Sequence, residues 1–343
     1  MRAALLDVQQ HMTMIDADMP AVQHPDDVLI RVKTVGVCGS EVHAFYGTHP
    51  YRKAPVILGH EAAGDVVAVG DTVTHFKPGE RVVVDPQWTC GKCEFCLRGD
   101  INLCPSKKVL GTQDWPGAFG EYIVVPEETV FQLPENLSYA QGSLIEPLTI
   151  GVHVARRANI QPGQSVAILG TGSIGGMISG VCRASGASTI ITADIHQHCL
   201  DAARERLGAT HDFLLPDEQL VDKVLDLTGG QGVDAAFIAA DEPALVNAAI
   251  QILKRRGRIV LVALLTEGPL EFPAYPLIAK EGEILGSLMS NQGDVRRAIE
   301  LAASGQVDVL AIATHSLPIE QAQRGMEMVH TKQDGAIKVL LNF

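Results

Sequence analysis

The chain has 343 residues, a hydrophobic content of 46% and a charged content of 20%. These values are typical of a globular protein that is long enough for two domains, each with its own hydrophobic core. The formal net charge of −13 argues against nucleic acid and against an anionic membrane surface as partners. The sequence has no run of 18 apolar residues and no apolar leader after Met1, so we expect neither a membrane span nor a signal peptide, and a cytoplasmic location.

The N-terminal part carries short strand patterns that are separated by glycine and proline. Residues 28–35 alternate with a period of two, and residues 62–69 and 81–85 follow similar patterns. This spacing predicts an irregular, mostly antiparallel β domain. We assign residues 1–151 to it, and they include a cysteine-rich lobe at about 86–110.

From about Val152 onward, strand and helix patterns alternate. The strands are predicted near Val166, Ile190, Asp212, Ala235, Ile259 and Ile284. Such alternation is typical of a parallel sheet that is covered by helices on both faces. After Gly286 we predict helices at 294–303 and 321–329 and a final strand at 336–341.

A glycine-rich turn follows the first of these parallel strands. Gly170, Gly172 and Gly175 have the GxGxxG spacing. The first glycine of this motif allows a sharp turn, the second lets a pyrophosphate approach the backbone, and the third allows close packing of helix on strand. Ser173 and Ile174 begin the helix, whose N-terminal N–H groups can bind phosphate oxygens. The turn therefore predicts a dinucleotide site.

Asp194 ends the second parallel strand, 24 residues after Gly170. A carboxylate at this point binds the hydroxyls of an adenosine ribose and repels a 2′-phosphate, so we predict NAD as the cofactor. His196 and Arg204 lie nearby in the sequence and leave NADP open as the alternative.

Four of the seven cysteines form a tight cluster in the sequence. Cys90, Cys93, Cys96 and Cys104 follow the spacing C-x2-C-x2-C-x7-C. One loop with this spacing can surround a tetrahedral ion, and four thiolates are typical of a closed structural zinc site. Iron–sulfur ligation is the alternative. A cluster of this kind in a chain with an odd number of cysteines favours metal ligation in a reducing compartment over disulfides.

A second set of metal ligands is dispersed along the chain. It consists of Cys38 in GVCGSEVH, His60 and Glu61 in LGHEAAG, and Glu146 in LIEPL. Each residue alone is weak evidence, because single cysteines and histidines are often core residues. Together they provide one sulfur, one nitrogen and two oxygen ligands, a mixed set that is typical of a catalytic zinc with an open coordination position.

The order of these motifs resembles that of the zinc-containing medium-chain dehydrogenases, over the whole chain. Glu146 resembles the polyol branch, which includes sorbitol, sugar-alcohol and sugar-acid dehydrogenases. The resemblance implies an α/β protein in which a Rossmann doubly wound parallel sheet (152–286) is inserted into a GroES-like, mostly antiparallel β catalytic domain (1–151 plus 287–343). It also implies NAD, two Zn²⁺ ions per subunit, and a homo-oligomer, with a tetramer favoured and a dimer possible.

The resemblance further assigns roles to individual side chains. Cys38 and His60 bind the catalytic zinc, and the two glutamates of the dispersed set are direct or water-mediated partners that exchange. Ser40 lies beside the substrate oxygen, and His43 is the outlet of a proton relay to water. In the alternative interpretation, Ser40 only caps a turn or a helix and His43 only lies on a wet helix face.

Two departures from the family pattern bear on the substrate. In the stretch where polyol relatives often carry an arginine that binds substrate hydroxyls, this chain has Leu288 and Met289. This difference favours a less polar or differently held substrate. Threonine dehydrogenases of the family carry a histidine shortly before the cysteine lobe, whereas this chain has Asp-Pro-Gln-Trp at 85–88. This difference argues against threonine as the substrate. The candidates for the substrate wall are Leu288, Met289, Phe45, Tyr51, Trp115 and Phe119.

We therefore predict a zinc-dependent oxidoreductase that transfers hydride from a secondary hydroxyl of a polyol, sugar acid or related small alcohol to NAD⁺. One alternative is a dehydrogenase of a less polar secondary alcohol or diol. The other is a nucleotide-binding protein that has lost catalysis, which the intact set of zinc ligands and relay residues argues against.

Overall fold

The computed structural model describes residues 1–265 and 270–343. The chain divides into two compact units. The first contains Met1–Glu146, Asn291–Ala303 and Ala313–Phe343, and the second contains Pro147–Ser290 and Ser304–Ile312. These borders differ by a few residues from the domain borders that the sequence suggested, and residues 304–312 group with the second unit.

The N-terminal part of the first unit is rich in short strands. They are β1 (Arg2–Val8), β2 (His11–Asp16), β3 (Asp27–Gly36), β4 (Val56–Ile57), β5 (Glu61–Val69), β6 (Arg81–Val84), β7 (Gln87–Trp88), β8 (Lys108–Val109), β9 (Tyr122–Pro126) and β10 (Val130–Gln132). The helices here are α1 (Gly39–Phe45), α2 (Glu94–Leu97), α3 (Tyr139–Ser143) and α4 (Ile145–Ala158), and the border between the units falls within α4.

The second unit alternates strands and helices. Its elements are β11 (Ser165–Leu169), α5 (Ser173–Ala184), β12 (Thr189–Asp194), α6 (Gln197–Arg206), β13 (His211–Leu214), α7 (Leu220–Leu227), β14 (Val233–Ile238), α8 (Ala244–Ile252), β15 (Leu253–Leu261), α9 (Ala274–Ala279) and β16 (Glu283–Gly286). The strands are parallel in the order β13-β12-β11-β14-β15-β16. This is the strand order of dinucleotide-binding sheets, and all six predicted strands are confirmed.

The sheet of the second unit is buried on both faces. Ala167 and Leu169 of β11 belong to one hydrophobic cluster, and Val166 and Ile168 belong to another. Because successive side chains of a strand point to opposite faces, the two clusters lie on opposite sides of the sheet. This explains why these strands show continuous apolar runs in the sequence rather than alternation.

The C-terminal part of the chain returns to the first unit. It contains α10 (Gln292–Ala303), β17 (Ala313–Pro318), α11 (Ala322–Thr331) and β18 (Lys338–Asn342). Both predicted helices and the final strand are confirmed. Strand β17 was not predicted, because its sequence ATHSLP is largely polar and only partly buried.

The main sheet of the first unit joins the two ends of the chain. Its order is β10-β6-β5-β3-β18-β17, with β9 also paired to β3. Strand β18 is antiparallel to β3, and β3 is antiparallel to β5, so Leu340 lies opposite Gly36 and Gly36 opposite Glu61. The predicted mostly antiparallel β domain, built from both chain ends, is therefore confirmed.

No helix within 1–265 and 270–343 is long and apolar enough to cross a lipid bilayer.

Candidate active site

The turn between β3 and α1 positions Cys38. Cys38 is the N-cap residue of α1. Three positions later, Glu41 Oε2 accepts a hydrogen bond from the Cys38 backbone N–H at 2.9 Å, as in a capping box. Cys38 therefore lies at the N-terminal end of α1 in a fixed backbone conformation.

Glu41 also holds His60. Its side chain is fully buried, and Oε1 lies 2.7 Å from His60 Nδ1 and 2.8 Å from the Gly59 backbone N, which donates to it. An ionised carboxylate can only accept, so Nδ1 carries the hydrogen and Nε2 is left to bind a metal. Burial opposes a raised pKa of His60, but the charges of Glu41 and Cys38 hold that pKa well above its usual value.

The dispersed ligand set comes together in the first unit. The ligand atoms of Cys38, His60 and Glu61 all lie within 4.8 Å of one another. A sulfur, a nitrogen and an oxygen at this separation fit a zinc ion with metal–ligand distances of about 2.0–2.3 Å. The sequence motifs alone did not show that these residues meet; the pairing of β3 with β5 brings them together.

Glu146 lies within electrostatic range of this set but outside the group of three ligand atoms found in the described chain. Burial raises the pKa of Glu146 to about 7, the charge of Glu61 adds to the effect, and His60 opposes it. A carboxyl group in such a place can be neutral or charged near pH 7.

Lys338 is a member of the site that sequence reasoning missed. Its Nζ lies 2.6 and 2.9 Å from the two carboxylate oxygens of Glu61 and 3.0 Å from the Val37 carbonyl oxygen. Burial would lower the pKa of Lys338, but Glu61 and Cys38 raise it above its usual value. Strands β18 and β5 lie on either side of β3, and this arrangement brings Lys338 to Glu61. No local sequence pattern around Lys338 predicts the contact.

The cysteine lobe forms a second candidate metal centre. The four sulfur atoms lie within 4.8 Å of one another, with 3.9 Å between Cys90 and Cys96 and 3.5 Å between Cys93 and Cys96. A tetrahedral zinc site with Zn–S bonds of about 2.3 Å has sulfur–sulfur separations of about 3.8 Å, so the lobe fits zinc. Strands β7 and β8 pair at its base.

Two cysteines of the lobe have shifted pKa values, and burial raises the pKa of Cys96 to about 11. Hydrogen bonds from the backbone N–H groups of Lys92 and Cys93 lower the pKa of Cys90 to about 6. A lowered pKa of this kind favours the deprotonated form that metals bind.

The glycine turn has the geometry that dinucleotide binding requires. Gly170 has a φ of 93°, and a Cβ there would lie 2.6 Å from Ala240. A Cβ on Gly175 would lie 1.9 Å from the Gly170 carbonyl oxygen, so helix α5 packs directly on the turn. A Cβ on Gly172 would meet nothing within 4 Å, which leaves the room at this position that a pyrophosphate needs.

Asp194 is tied to this turn. Its Oδ2 accepts a hydrogen bond from the Thr171 backbone N–H at 2.6 Å, and its Oδ1 accepts one from the His196 backbone N–H at 2.8 Å. These bonds fix the carboxylate at the end of β12, next to the turn. A carboxylate oxygen has two acceptor positions, so the oxygens keep capacity for ribose hydroxyls.

Comparisons with known proteins agree with this geometry. Residues 24–135 match the alcohol dehydrogenase GroES-like domain, and residues 173–304 match the zinc-binding dehydrogenase domain. The sorbitol dehydrogenase of Bacillus subtilis (strain 168) is 36% identical over 346 aligned residues, which cover 99% of this chain and 97% of that protein.

This chain is a zinc-type medium-chain alcohol dehydrogenase.

It lies near the polyol branch of that family. Two solved structures resemble the dehydrogenase over its whole length. A protein from Sinorhizobium meliloti 1021, described as a zinc-binding dehydrogenase and bound to NADP, is 29% identical with a TM-score of 0.92 and covers 100% of this chain and 99% of its own. An alcohol dehydrogenase of Escherichia coli CFT073 in complex with NADH is 28% identical with a TM-score of 0.92 and the same coverage. A nicotinamide cofactor is therefore supported.

The predicted relay residues of the dehydrogenase share one face of α1, three positions apart. Ser40 Oγ donates a hydrogen bond to Cys38 Sγ at 3.4 Å. Thr48 Oγ1 donates to the His43 carbonyl oxygen at 3.2 Å and lies 2.9 Å from His43 Nδ1. The contact with Thr48 therefore fixes the orientation of the His43 ring.

Two further polar residues of the dehydrogenase, Arg52 and His49, stand next to Ser40. Arg52 is 3% exposed, and its Nη1 donates to Ser40 Oγ at 2.6 Å. His49 Nδ1 accepts a hydrogen bond from the Arg52 backbone N–H at 3.0 Å. Burial and the charge of Arg52 lower the pKa of His49 to about 4. Sequence reasoning missed both residues, although the motif THPYR places them close behind His43.

The predicted substrate-wall residues of the dehydrogenase divide into two groups. Phe45, Trp115 and Phe119 belong to the hydrophobic core of the first unit, and the Trp115 indole N–H donates to the Val124 carbonyl oxygen at 3.1 Å. Large parts of Tyr51 and Leu288 are exposed, and Met289 has a φ of 49°. That these residues contact the substrate stays a prediction.

Proposed function

We propose that this dehydrogenase oxidises a secondary hydroxyl of a polyol, sugar acid or related small alcohol with NAD⁺, and that each subunit holds two Zn²⁺ ions. The observation that carries the proposal is the convergence of Cys38, His60 and Glu61 within 4.8 Å, with His60 held by Glu41. Bound at these sites, zinc supplies Lewis acidity and a nicotinamide dinucleotide supplies the hydride acceptor. The four-cysteine centre would hold the second ion and stabilise its lobe.

The residues around the ligand set adjust its charge. Glu41 accepts a hydrogen bond from Nδ1 of His60, so Nε2 carries no hydrogen and points away from the carboxylate. This is the tautomer in which Nε2 can bind a metal. Lys338 compensates the charge of Glu61, which would otherwise be buried and unpaired, and holds its carboxylate beside Cys38 and His60. Glu146, with its pKa of about 7, can exchange between a charged and a neutral state as ligands change.

Ser40 and His43 are proposed to move the proton of the substrate hydroxyl. A hydroxyl can accept a proton on one side and give up its own on the other, and Ser40 lies next to the sulfur of Cys38. His43 is only partly buried, so its imidazole can pass the proton to water.

NAD⁺ is favoured over NADP⁺ by the position of Asp194. Its carboxylate is fixed at the end of β12 beside the glycine turn, where it would attract ribose hydroxyls and repel a 2′-phosphate. One relative of known structure is bound to NADP and another to NADH. The preference for NAD⁺ over NADP⁺ is therefore part of this proposal and rests on Asp194.

A less polar secondary alcohol or diol is the second candidate substrate. The observation in its favour is that this chain has Leu288 and Met289 in the stretch where polyol relatives often carry an arginine. We also propose a homo-oligomer, with a tetramer favoured, in the cytoplasm. The clustering of four of the cysteines as candidate metal ligands is typical of a chain in a reducing compartment.

The test is a substrate panel on protein of measured zinc content. Alditols, aldonates, 2,3-diols and simple secondary alcohols are offered with NAD⁺ and with NADP⁺, and reduced nucleotide is followed by its absorbance. We expect turnover of a hydroxylated substrate with NAD⁺ by protein that contains two zinc ions per chain. Binding of NADH without turnover of any member of the panel would instead favour a nucleotide-binding protein that has lost catalysis.

A further inference from the structure

Arg52 is a buried cation that has no hydrogen-bonded carboxylate within the described residues. The residue is 3% exposed. Its Nη1 donates to Ser40 Oγ at 2.6 Å and its Nη2 to the Leu110 carbonyl oxygen at 3.4 Å. Its Nε is enclosed and has no hydrogen-bond partner in the part of the chain that the structure describes.

No carboxylate within the described ranges forms an ion pair with this guanidinium. The charge of Arg52 does act on Glu41: burial opposes ionisation of this carboxyl group, but His60 and Arg52 lower its pKa. The oxygens of Glu41 are already used, since they accept bonds from His60 and from the backbone N–H groups of Cys38 and Gly59. Glu41 therefore compensates Arg52 only at a distance.

His49, whose ring accepts a hydrogen bond from the Arg52 backbone, is uncharged near neutral pH because its pKa is lowered to about 4. His49 is buried, and its Nδ1 accepts a backbone hydrogen bond, so it adds polarity without adding a negative charge. A buried cation without a hydrogen-bonded counter-charge is unfavourable for folding alone. Groups kept in such a state are often there for a ligand.

We propose that Arg52 determines substrate specificity and binds a carboxylate that the substrate carries next to its reacting hydroxyl group. The preferred substrates are then hydroxy acids of the aldonate type. This inference rests on the proposed function, because that function places the reacting oxygen beside Ser40.

The distances allow this contact. A hydroxyl group that is hydrogen-bonded to Ser40 Oγ lies about 2.7 Å from it. Since Nη1 of Arg52 is 2.6 Å from the same Oγ, the guanidinium is within about 5 Å of the reacting oxygen. A carboxylate on the neighbouring carbon is therefore within reach of the guanidinium edge, and the planar fork of arginine fits two carboxylate oxygens.

The experiment compares matched substrate pairs. Each aldonate of the six-carbon sugars is paired with the alditol that has the same configuration, so the two differ only by a carboxylate in place of a hydroxymethyl group. The variants are Arg52→Met and Arg52→Lys. The control is Lys53→Met, which removes an exposed positive charge from the next residue.

We expect the wild-type enzyme to have the higher kcat/KM with the aldonate of at least one pair. Loss of the Arg52 hydrogen bond to Ser40 affects both members of a pair, so the readout is the aldonate-to-alditol ratio of kcat/KM, which Arg52→Met should lower by about 10- to 100-fold, as the loss of a charge-assisted hydrogen bond predicts. Arg52→Lys should fall between the two, and Lys53→Met should leave the ratio unchanged. A wild-type preference for the alditol in every pair, or an equal loss for both members of a pair, would overturn the inference.

Folding and function are controlled separately. Thermal unfolding and the affinity for NADH show whether each variant is folded, and Arg52→Lys decides alone if Arg52→Met does not fold. If the wild-type enzyme oxidises no member of any pair, the proposed function fails. The role of Arg52 can then still be tested by calorimetric titration of aldonates into the zinc-loaded protein in the presence of NADH. Aldonate binding that Arg52→Met or Arg52→Lys weakens would support the contact, and absent or unaltered binding would refute it.

Discussion

Lys338, in the last strand of the chain, donates hydrogen bonds to both carboxylate oxygens of Glu61, at 2.6 and 2.9 Å. Both side chains are almost completely buried. The pair sits against Cys38 and His60, so the two ends of the chain meet at the candidate zinc ligands. The contact links the integrity of the first unit to the charge of its active site.

We predict that Lys338→Met strongly destabilises the protein. The substitution leaves the carboxylate of Glu61 buried and unpaired, which costs about 3–5 kcal/mol in comparable cases. The free energy of unfolding from urea titration measures the effect. Lys33→Met is the control, since Lys33 is more exposed and makes only a longer ion pair to Asp65, worth at most about 1 kcal/mol. Equal losses for the two variants would show that the buried pair has no special role.

Glu41→Gln should weaken zinc binding at the candidate catalytic site. The amide presents a donor as well as an acceptor, so it no longer holds the Nδ1–H tautomer of His60 as firmly, and such orienting partners typically contribute about 10- to 100-fold in metal affinity. Competition with a chromophoric chelator measures the two zinc affinities. The zinc of the cysteine lobe is the internal control and should be retained. Unchanged affinity at both sites would contradict the role given to Glu41.

Cys93→Ser should affect stability much more than chemistry. Loss of one thiolate opens a four-sulfur site, and structural zinc sites contribute directly to folding. We expect one zinc ion per chain instead of two, a lower thermal midpoint and unchanged NADH affinity. Cys199→Ser is a suitable comparison, because Cys199 is buried in the second unit and lies outside the lobe. A fully stable Cys93→Ser protein that lacks its second zinc would refute a structural role.

Asp194→Ala should relax the preference for NAD⁺. The substitution removes both the acceptor for ribose hydroxyls and the charge that repels a 2′-phosphate. Because Asp194 also accepts a hydrogen bond from the Thr171 N–H, affinity for both nucleotides should fall, and the affinity for NADH should fall more. Dissociation constants for NADH and NADPH, from the fluorescence of the bound nucleotide, give the ratio. An unchanged ratio would show that Asp194 does not contact the ribose.

The sequence predicted the parts of the site that local motifs define. The glycine turn, the cysteine lobe and the acid after the second parallel strand lie in continuous stretches, where spacing alone constrains geometry. Glu41 could have been found as well, because an acidic residue three positions after an N-cap is a known pattern.

Lys338 and Arg52 were beyond the reach of local patterns. Lys338 and Glu61 are 277 positions apart in the sequence and meet because β18 and β5 both pair with β3, and a lysine in a β-strand is ordinarily exposed. Arg52 lies in a loop where an arginine is unremarkable, and only burial beside Ser40 gives it meaning. Strand β17 was missed for a related reason, because pairing with β18 rather than its own composition makes it a strand.

The central claim is that a zinc ion held by Cys38 and His60 is required for alcohol oxidation. The most direct measurement is the rate of NADH formation by Cys38→Ser protein, with zinc content and NADH affinity determined on the same sample. We predict one zinc ion per chain, NADH affinity like that of the wild type, and a loss of turnover on every substrate that the wild type oxidises. Turnover at the wild-type rate by this variant would contradict the account.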